Sequence, residues 1–194
     1  MNFLKNIYIW TLKKAEHKNA KWYLSLISFA ESSFFPIPPD ILLIPMALAS
    51  KTKALFYAFI CTLSSVLGGM FGYAIGYFFF NSIGLYIVEF YHLESSFSIF
   101  ENYYKEFGIL IVLGAGITPF PYKFITIASG VFGLNIYLFV IVSIIGRGLR
   151  FYLIAILLYF FGEKIKVFID KYFNILSITF FILLVGSVFI IRFL

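Results

Sequence analysis

Five ionisable residues stand in otherwise apolar sequence, and their types could do chemistry. They are Glu31, Asp40, Lys123, Arg147 and Arg150. A charge at the centre of a lipid-facing helix costs about 2.5–3.5 kcal/mol on insertion scales, so five of them are expected to face one another or water. Two acids against three bases leave one positive charge over, which suits a phosphate or another anionic head group. We therefore predict that the three bases, Lys123, Arg147 and Arg150, bind the substrate.

The two acids are open to two interpretations. In the first, Glu31 and Asp40 neutralise the cations while the site is empty and exchange protons when it is filled. In the second, Glu31 pairs with Arg147 or Arg150, and Asp40 pairs with Lys123, only to neutralise buried charge in a structural bundle. We favour the first, because ionisable groups at proline-broken helix ends are costly and a stable bundle does not need them.

A proline motif that occurs twice is expected to position these residues. Its copies are PIPPD at residues 36–40 and PFPYK at residues 119–123, an offset of 83 residues. The prolines that match are Pro36 and Pro38 in the first copy, and Pro119 and Pro121 in the second. An internal repeat broken by prolines is typical of membrane transporters, because discontinuous helices leave backbone groups free to line a polar site.

The composition favours an all-α integral membrane protein. With 62% hydrophobic and 12% charged residues, the chain has too little polar surface to cover a soluble globule. The apolar stretch at 22–35 would be about 21 Å long as a helix, which is too short for a hydrocarbon core of about 30 Å. It therefore predicts one arm of a re-entrant hairpin, whereas the longer stretch at 54–80 can cross.

The same argument divides the whole chain. The predicted segments are an amphipathic interfacial helix at 1–21, a transmembrane domain at 22–163, and a C-terminal crossing helix at 172–191. Within that domain we expect a re-entrant hairpin at 22–50, a crossing helix at 54–80, an interfacial helix at 95–106, a second re-entrant hairpin at 107–134 and a crossing helix at 137–161. Gly68, Gly72 and Gly76 in the first crossing helix have the spacing of a close helix–helix contact.

The lysines predict how the chain is oriented. If each hairpin returns to its own side, Lys105 and Arg192 lie on one face and most other basic residues outside the bilayer lie on the face of the N-terminus. The positive-inside rule then places the N-terminus in the cytoplasm and the C-terminus in the periplasm. One crossing separates the hairpins, so the second enters from the opposite face. The repeats are expected to be inverted, with their tips meeting near the middle of the bilayer.

Other classes of protein lack support in the sequence. Cys61 is the only cysteine, and the only histidines, His17 and His92, stand far apart, so we expect no metal site and no cofactor. No nucleophile stands beside a histidine, which disfavours an enzyme and leaves no candidate catalytic residue. The net charge of +6 comes from basic residues beside apolar spans, which indicates membrane orientation rather than nucleic-acid binding.

The sequence resembles the DedA family, part of the SNARE-associated or VTT-domain superfamily, and looks closest to its YqaA-like branch. The residues that carry the likeness are FAESSFFPIPPD at 29–40, PFPYKFITIASG at 119–130, and Gly146-Arg147. The resemblance covers roughly residues 22–162 and implies two oppositely inserted re-entrant hairpins. Glu31 and Asp40 match the family's membrane-embedded acids. Many members carry two arginines around the second proline loop, where this chain has Gly116 and, near the second position, Lys123.

Members of that family are associated with envelope integrity, the proton motive force and lipid translocation, including undecaprenyl phosphate in bacteria and phospholipids in eukaryotic relatives. We therefore expect a multi-pass inner-membrane protein of the flippase or scramblase type. Its predicted partners are protons and membrane lipids with an anionic phosphate head group, either undecaprenyl phosphate or a phospholipid, and a homo-oligomer is compatible with the sequence. The alternatives are a proton-coupled antiporter or small-solute transporter, and a structural or envelope assembly factor.

Overall fold

The structure is a computed structural model that describes residues 19–35, 37–90, 92, 94–118, 120–162 and 164. These residues form helices and no strands. The helices are α1 (Ala20–Ser33), α2 (Asp40–Ala49), α3 (Ala54–Phe79), α4 (Leu85–Phe90), α5 (Glu94–Ile117), α6 (Tyr122–Val131) and α7 (Ile136–Gly162). A 3₁₀ turn, Lys51–Lys53, precedes α3, and a π-helical turn, Phe80–Gly84, follows it. The expected all-helical fold class is therefore confirmed for the described residues.

Several predicted features lie outside the described residues. These are the interfacial helix at 1–21 apart from its last three residues, the C-terminal crossing helix at 172–191, and the motif prolines Pro36 and Pro119. Residues 94–117 form one continuous helix, α5. The sequence had suggested an interfacial helix ending at 106 and a separate hairpin arm beginning at 107.

The proline motifs break the chain into two helical hairpins. Helix α1 ends at Ser33, shortly before the first motif, and α2 begins at Asp40 directly after Pro39. In the second hairpin, α5 ends at Ile117 and α6 begins directly after Pro121. Proline has no backbone N–H and disfavours a helical conformation in the residue before it, so runs of this composition end one helix and permit the next to start.

Two helices are long and apolar enough to cross a membrane. They are Lys51–Phe79, which comprises the 3₁₀ turn and α3, and Ile136–Gly162, which is α7. Asn135 caps α7, since its Oδ1 accepts hydrogen bonds from the backbone N–H groups of Tyr137 and Leu138 at 3.0 and 3.2 Å. The turn before α7 depends on Gly133, whose φ of +62° is costly for residues with a side chain.

Small residues let two short helices pack end to end along α3. A side chain at Gly68 would overlap the carbonyl oxygen of Phe29 in α1, and one at Gly76 would overlap that of Ile127 in α6. Gly72, between them, meets Thr126 of α6. The predicted contact role of these three glycines is confirmed. Contacts advance in the same order along each pair, from Ser25–Ser64 to Ser33–Gly68 for α1 and from Thr126–Gly72 to Ile127–Gly76 for α6. Helices α1 and α6 therefore both run parallel to α3.

Helices α5 and α2 pack along α7 in the same way. Gly116 in α5 lies against Gly146 in α7, the carbonyl of Thr118 meets Arg150, and Leu48 at the end of α2 meets Gly162. Asp40, at the start of α2, meets Arg150. The contacts therefore advance in the same order along each pair, and both α5 and α2 run parallel to α7. Each long helix is thus flanked by the first arm of its own hairpin and the second arm of the other hairpin.

The two long helices run in opposite directions. Thr62 in α3 meets Gly148 in α7, whereas Tyr73, further along α3, packs its ring 5.5 Å from that of Phe139, which comes earlier in α7. The element bounds also repeat along the chain, because α6 begins 82 residues after α2 and α7 begins 82 residues after α3. The helices that follow the proline motifs therefore repeat at an offset within one residue of that of the motifs.

Two apolar clusters fill the interior, one at each end of the long helices. The first contains Leu24, Leu43, Ala58, Phe151 and Leu158 among others, and the second contains Val112, Ala115, Tyr122 and Phe139. Many large apolar side chains on the outside of α3 and α7 are exposed. The polar site described next lies between the two clusters.

Candidate functional site

A buried ion pair joins the end of α1 to the middle of α7. Glu31 accepts a hydrogen bond from Arg147, with Oε2 2.6 Å from Nη2. The Nε of Arg147 donates to Ser65 Oγ at 2.6 Å, and Ser32 Oγ donates to Glu31 Oε2 at 3.1 Å. Arg147 is only 1% exposed. Burying two charges is favourable only when their hydrogen-bonding groups are satisfied, and the two serines contribute to that here.

Aromatic rings enclose the same arginine from both apolar clusters. The guanidinium carbon of Arg147 lies 4.9 Å from the ring centre of Tyr122 and 4.7 Å from that of Phe151. The Tyr122 hydroxyl shares a 2.5 Å hydrogen bond with Ser143, which fixes the ring. A cation over an aromatic face gains more when it is shielded from water. Arg147 is therefore held by α1, α3, α6 and α7 together, and it is closed to a ligand in this arrangement.

A second ion pair lies at the hairpin tips. Arg150, one turn beyond Arg147, places Nη2 2.5 Å from Asp40 Oδ2 at the start of α2. Its Nη1 donates to the carbonyl oxygen of Thr118, just after α5, also at 2.5 Å. The side chains of Arg150 and Asp40 are 15% and 18% exposed, so this pair is more open than the first. One arginine thus bridges the tips of both hairpins.

The second pair is less completely hydrogen-bonded than the first. Asp40 Oδ1 is buried and has no hydrogen-bond partner within the described part of the chain. A buried acceptor without a donor costs about 1–3 kcal/mol. The pair is therefore less completely satisfied than Glu31–Arg147, which makes it the easier of the two to open.

Lys123 does not pair with Asp40. It is partly buried in the first turn of α6, its Nζ lies 5.5 Å from the ring centre of Phe124, and it makes no ion pair among residues 19–162 that the structure describes. The second interpretation is thus wrong about Asp40, because α2 lies along α7 and brings Asp40 to Arg150, but its pairing of Glu31 with an arginine is present. With Glu31 and Asp40 each neutralised by an arginine, Lys123 carries the surplus positive charge.

The structure thus brings four of the five predicted charged residues into two adjacent pairs on consecutive turns of α7. Pro38 and Pro121 lie in the connections beside them, at the tips of the hairpins. The tips also touch directly, since Thr126 of α6 donates to the carbonyl oxygen of Ser32 at 2.9 Å. Within the described residues, no group of three or more metal-ligating side chains is present.

Sequence reasoning missed the serines of α1. Their contacts form a polar seam against α3: Ser25 with Ser64 Oγ at 2.7 Å, Ser28 with Cys61 O at 2.8 Å, Ser32 with Ser65 Oγ at 2.6 Å, and Ser33 with Gly68 O at 2.8 Å. Ser25, Ser28 and Ser32 recur at helical spacing in an apolar arm, and that spacing was a signal that could have found them. Small hydroxyl residues allow close helix approach while remaining hydrogen-bonded.

Two known bacterial proteins are similar to the chain over most of its length. An uncharacterized protein of Haemophilus influenzae (strain ATCC 51907 / DSM 11121 / KW20 / Rd) is 34% identical over 192 residues, covering 99% of this chain and 100% of the relative. An uncharacterized protein of Histophilus somni is 34% identical over 167 residues, covering 84% of this chain and 85% of the relative. No protein-family model and no solved structure match the chain.

Proposed function

The chain belongs to the family of these two uncharacterized bacterial proteins, and we propose that it is a multi-pass inner-membrane transporter for a phosphate-bearing lipid head group. The lipid tails stay in the bilayer while the head group passes the hairpin tips. Undecaprenyl phosphate and phospholipids are the candidate lipids. The resemblance to the DedA family points to the same class of substrate.

The proposed topology follows from helix lengths and directions. Helices α3 and α7 cross in opposite directions, while α1 with α2, and α5 with α6, enter and return as re-entrant hairpins from opposite faces. Helices α2 and α6, with 10 residues each, are about 15 Å long and too short to cross. Lys51 and Lys53, directly before α3, support a cytoplasmic N-terminus under the positive-inside rule.

One observation carries the proposal. Arg150 binds Asp40 at the tip of one hairpin and the Thr118 carbonyl at the tip of the other, beside the middle of an apolar helix of crossing length. A charge at that depth is costly unless a polar partner or cargo compensates it. The pair is partly exposed, and one oxygen of Asp40 has no donor among the described residues, so the pair is suited to exchange partners.

We assign different roles to the charged residues. Arg150 and Lys123 contact the phosphate. When the phosphate binds, the ion pair between Arg150 and Asp40 breaks. A carboxylate released in this way takes up a proton, which couples movement of the head group to the proton gradient. Glu31 and Arg147 hold the helices together, and Arg147 reaches a phosphate only if the first pair also opens.

The test is transport of fluorescent lipids in proteoliposomes, with and without a pH gradient. Arg150→Gln removes a charge-assisted hydrogen-bond donor worth about 1.5–3 kcal/mol, so we expect the initial rate to fall about tenfold or more. Lys105→Gln is the matched control. It removes one charge from an exposed side chain, in an i,i+4 pair with Glu101 on α5, away from the site.

Three results would contradict the proposal. One is a wild-type protein that moves neither undecaprenyl phosphate nor phospholipids. Another is equal loss of rate in the two variants. The third is a proton flux that needs Arg150 but no lipid, which would favour a proton-coupled solute transporter instead.

A further inference from the structure

A groove lies between the first turns of α1 and the first half of α3. Its volume is about 230 Å³. Helix α1 contributes Lys21, Trp22 and Ser25, and α3 contributes Phe56, Ile60, Leu63 and Ser64. The residues from α3 are spaced by four, three and one, so they form one stripe along that helix.

The groove has a polar part and an apolar part. Lys21 is exposed, makes no ion pair with the residues described, and holds its Nζ 5.8 Å from the ring centre of Trp22. Ser25 and Ser64 share their hydrogen bond nearby. Phe56 and Leu63 are exposed, and Ile60 is partly exposed. Among the described residues that line the groove, Lys21 is thus the only charged one, and the others are aromatic, aliphatic or hydroxyl side chains.

We infer that this groove binds one anionic phospholipid, with its phosphate on Lys21 and an acyl chain along Phe56, Ile60 and Leu63. The occupant follows from charge and shape: an unpaired cation needs an anion, and an open apolar stripe beside it needs a hydrocarbon chain. Trp22 is the kind of residue that lies at the level of lipid head groups. The acyl chain of a zwitterionic lipid would also cover the apolar stripe, but its head group would neutralise the charge of Lys21 less well.

The groove is distinct from the transport site. Ser64 faces Ser25 and the groove, whereas its neighbour Ser65 faces Ser32 and Arg147 on another side of α3. The inference rests on the proposed location in a bilayer but does not depend on transport. Failure to bind a lipid here would leave the transport assay unaffected.

The experiment uses tryptophan fluorescence in vesicles that contain brominated lipids. The chain has two tryptophans, so Trp10→Phe leaves Trp22 as the only emitter. In phosphatidylcholine vesicles, brominated phosphatidylglycerol is expected to half-quench Trp22 at about a fivefold lower mole fraction than brominated phosphatidylcholine does, as one lysine near the surface allows. Adding Lys21→Gln is expected to abolish this preference.

Lys53→Gln in the same background is the matched control. Lys53 is also exposed and lies at the start of α3, but it does not line the groove. The preference is expected to survive this change. Equal quenching by the two lipids, a preference that survives Lys21→Gln, or one lost equally in both variants would overturn the inference. Quenching by neither lipid would also overturn it, because the groove would then be filled by protein.

Discussion

Arg147 and Arg150 are three residues apart on one helix, yet their surroundings differ. Arg147 is enclosed by two aromatic rings, a carboxylate and a serine, and it is almost inaccessible. Arg150 keeps partial exposure and binds the backbone of a hairpin tip. Of the two, the first arginine is suited to holding helices together and the second to meeting a ligand.

At this scale we predict that Glu31→Gln destabilises the protein by about 3–5 kcal/mol, because it leaves Arg147 as a buried charge without a counter-ion. The double change Glu31→Leu with Arg147→Met is expected to recover most of that loss, since an apolar pair of similar volume replaces a buried ion pair at little cost. Unfolding in detergent measures both values. A single variant as stable as the wild type, or a double variant worse than the single one, would contradict this role.

The charged residues of the site could be predicted from sequence, but their partners could not. Ionisable side chains in apolar stretches stand out because their burial is costly. Asp40 and Lys123 occupy equivalent positions in the two motifs, which made them look like partners. Pairing instead depends on which helices lie side by side, and that is set by packing across distant parts of the chain. The rings of Tyr122 and Phe151 around Arg147 were missed for the same reason.

At the scale of elements, close helix packing depends on residues without side chains. Gly68 in α3 touches the backbone of α1, and Gly130 in α6 touches the backbone of α3 at Tyr73. Gly114 in α5, by contrast, has no atom of the described residues within 4 Å of where a side chain would begin. Replacing a helical glycine by alanine is therefore expected to lower the stability of the protein at some positions and to raise it at others.

We predict that Gly68→Ala destabilises the protein by about 1–3 kcal/mol, the usual cost of overpacking, because the methyl group would force α1 away. Gly114→Ala is its control and is expected to stabilise by about 0.5–1 kcal/mol, since alanine is the better helix former and meets no neighbour. The unfolding midpoints of the two variants in the same detergent provide the measurement. Similar shifts for both would argue against the packing described for α1 and α3.

Among the described helices, the sequence placed most bounds well but missed α4 and the continuity of α5. Prolines and the glycine spacing marked where α1, α2, α3 and α6 begin, end or touch, because these residues act locally. The continuity of α5 was missed, since its first half is polar and its second half apolar. A single helix can be polar in one half and apolar in the other. In the polar half of α5, the ion pair between Glu101 and Lys105, 2.7 Å apart, stabilises the helix.

At the scale of the whole molecule, the two long helices are antiparallel and each is flanked by arms of both hairpins. With a bilayer around α3 and α7, this arrangement places Lys53 and Lys164 on one face and Asn135 on the other. All three residues are exposed in the structure. Their sidedness is a direct consequence of the helix directions.

We predict that single cysteines replacing Lys53 and Lys164 react with an impermeant maleimide only from the cytoplasmic side, and a cysteine replacing Asn135 only from the periplasmic side. The background is Cys61→Ala, which removes the single native thiol. Labelling in spheroplasts and in inverted vesicles measures the sidedness. Reaction of Lys53→Cys and Asn135→Cys from the same side would refute the crossing of α3.

Because each long helix packs against one arm of each hairpin, the polypeptide cannot be divided into two parts that each keep all their contacts. Were it cut between α4 and α5, the N-terminal fragment would keep α1 against α3 but lose α6 from the same helix, and α2 would lose α7 altogether. The N-terminal fragment would hold Glu31 and Asp40 without their arginines, and the C-terminal fragment would hold Arg147 and Arg150 without their carboxylates. The two fragments would need to recombine to restore these contacts, so co-expression is expected to rescue what separate expression cannot.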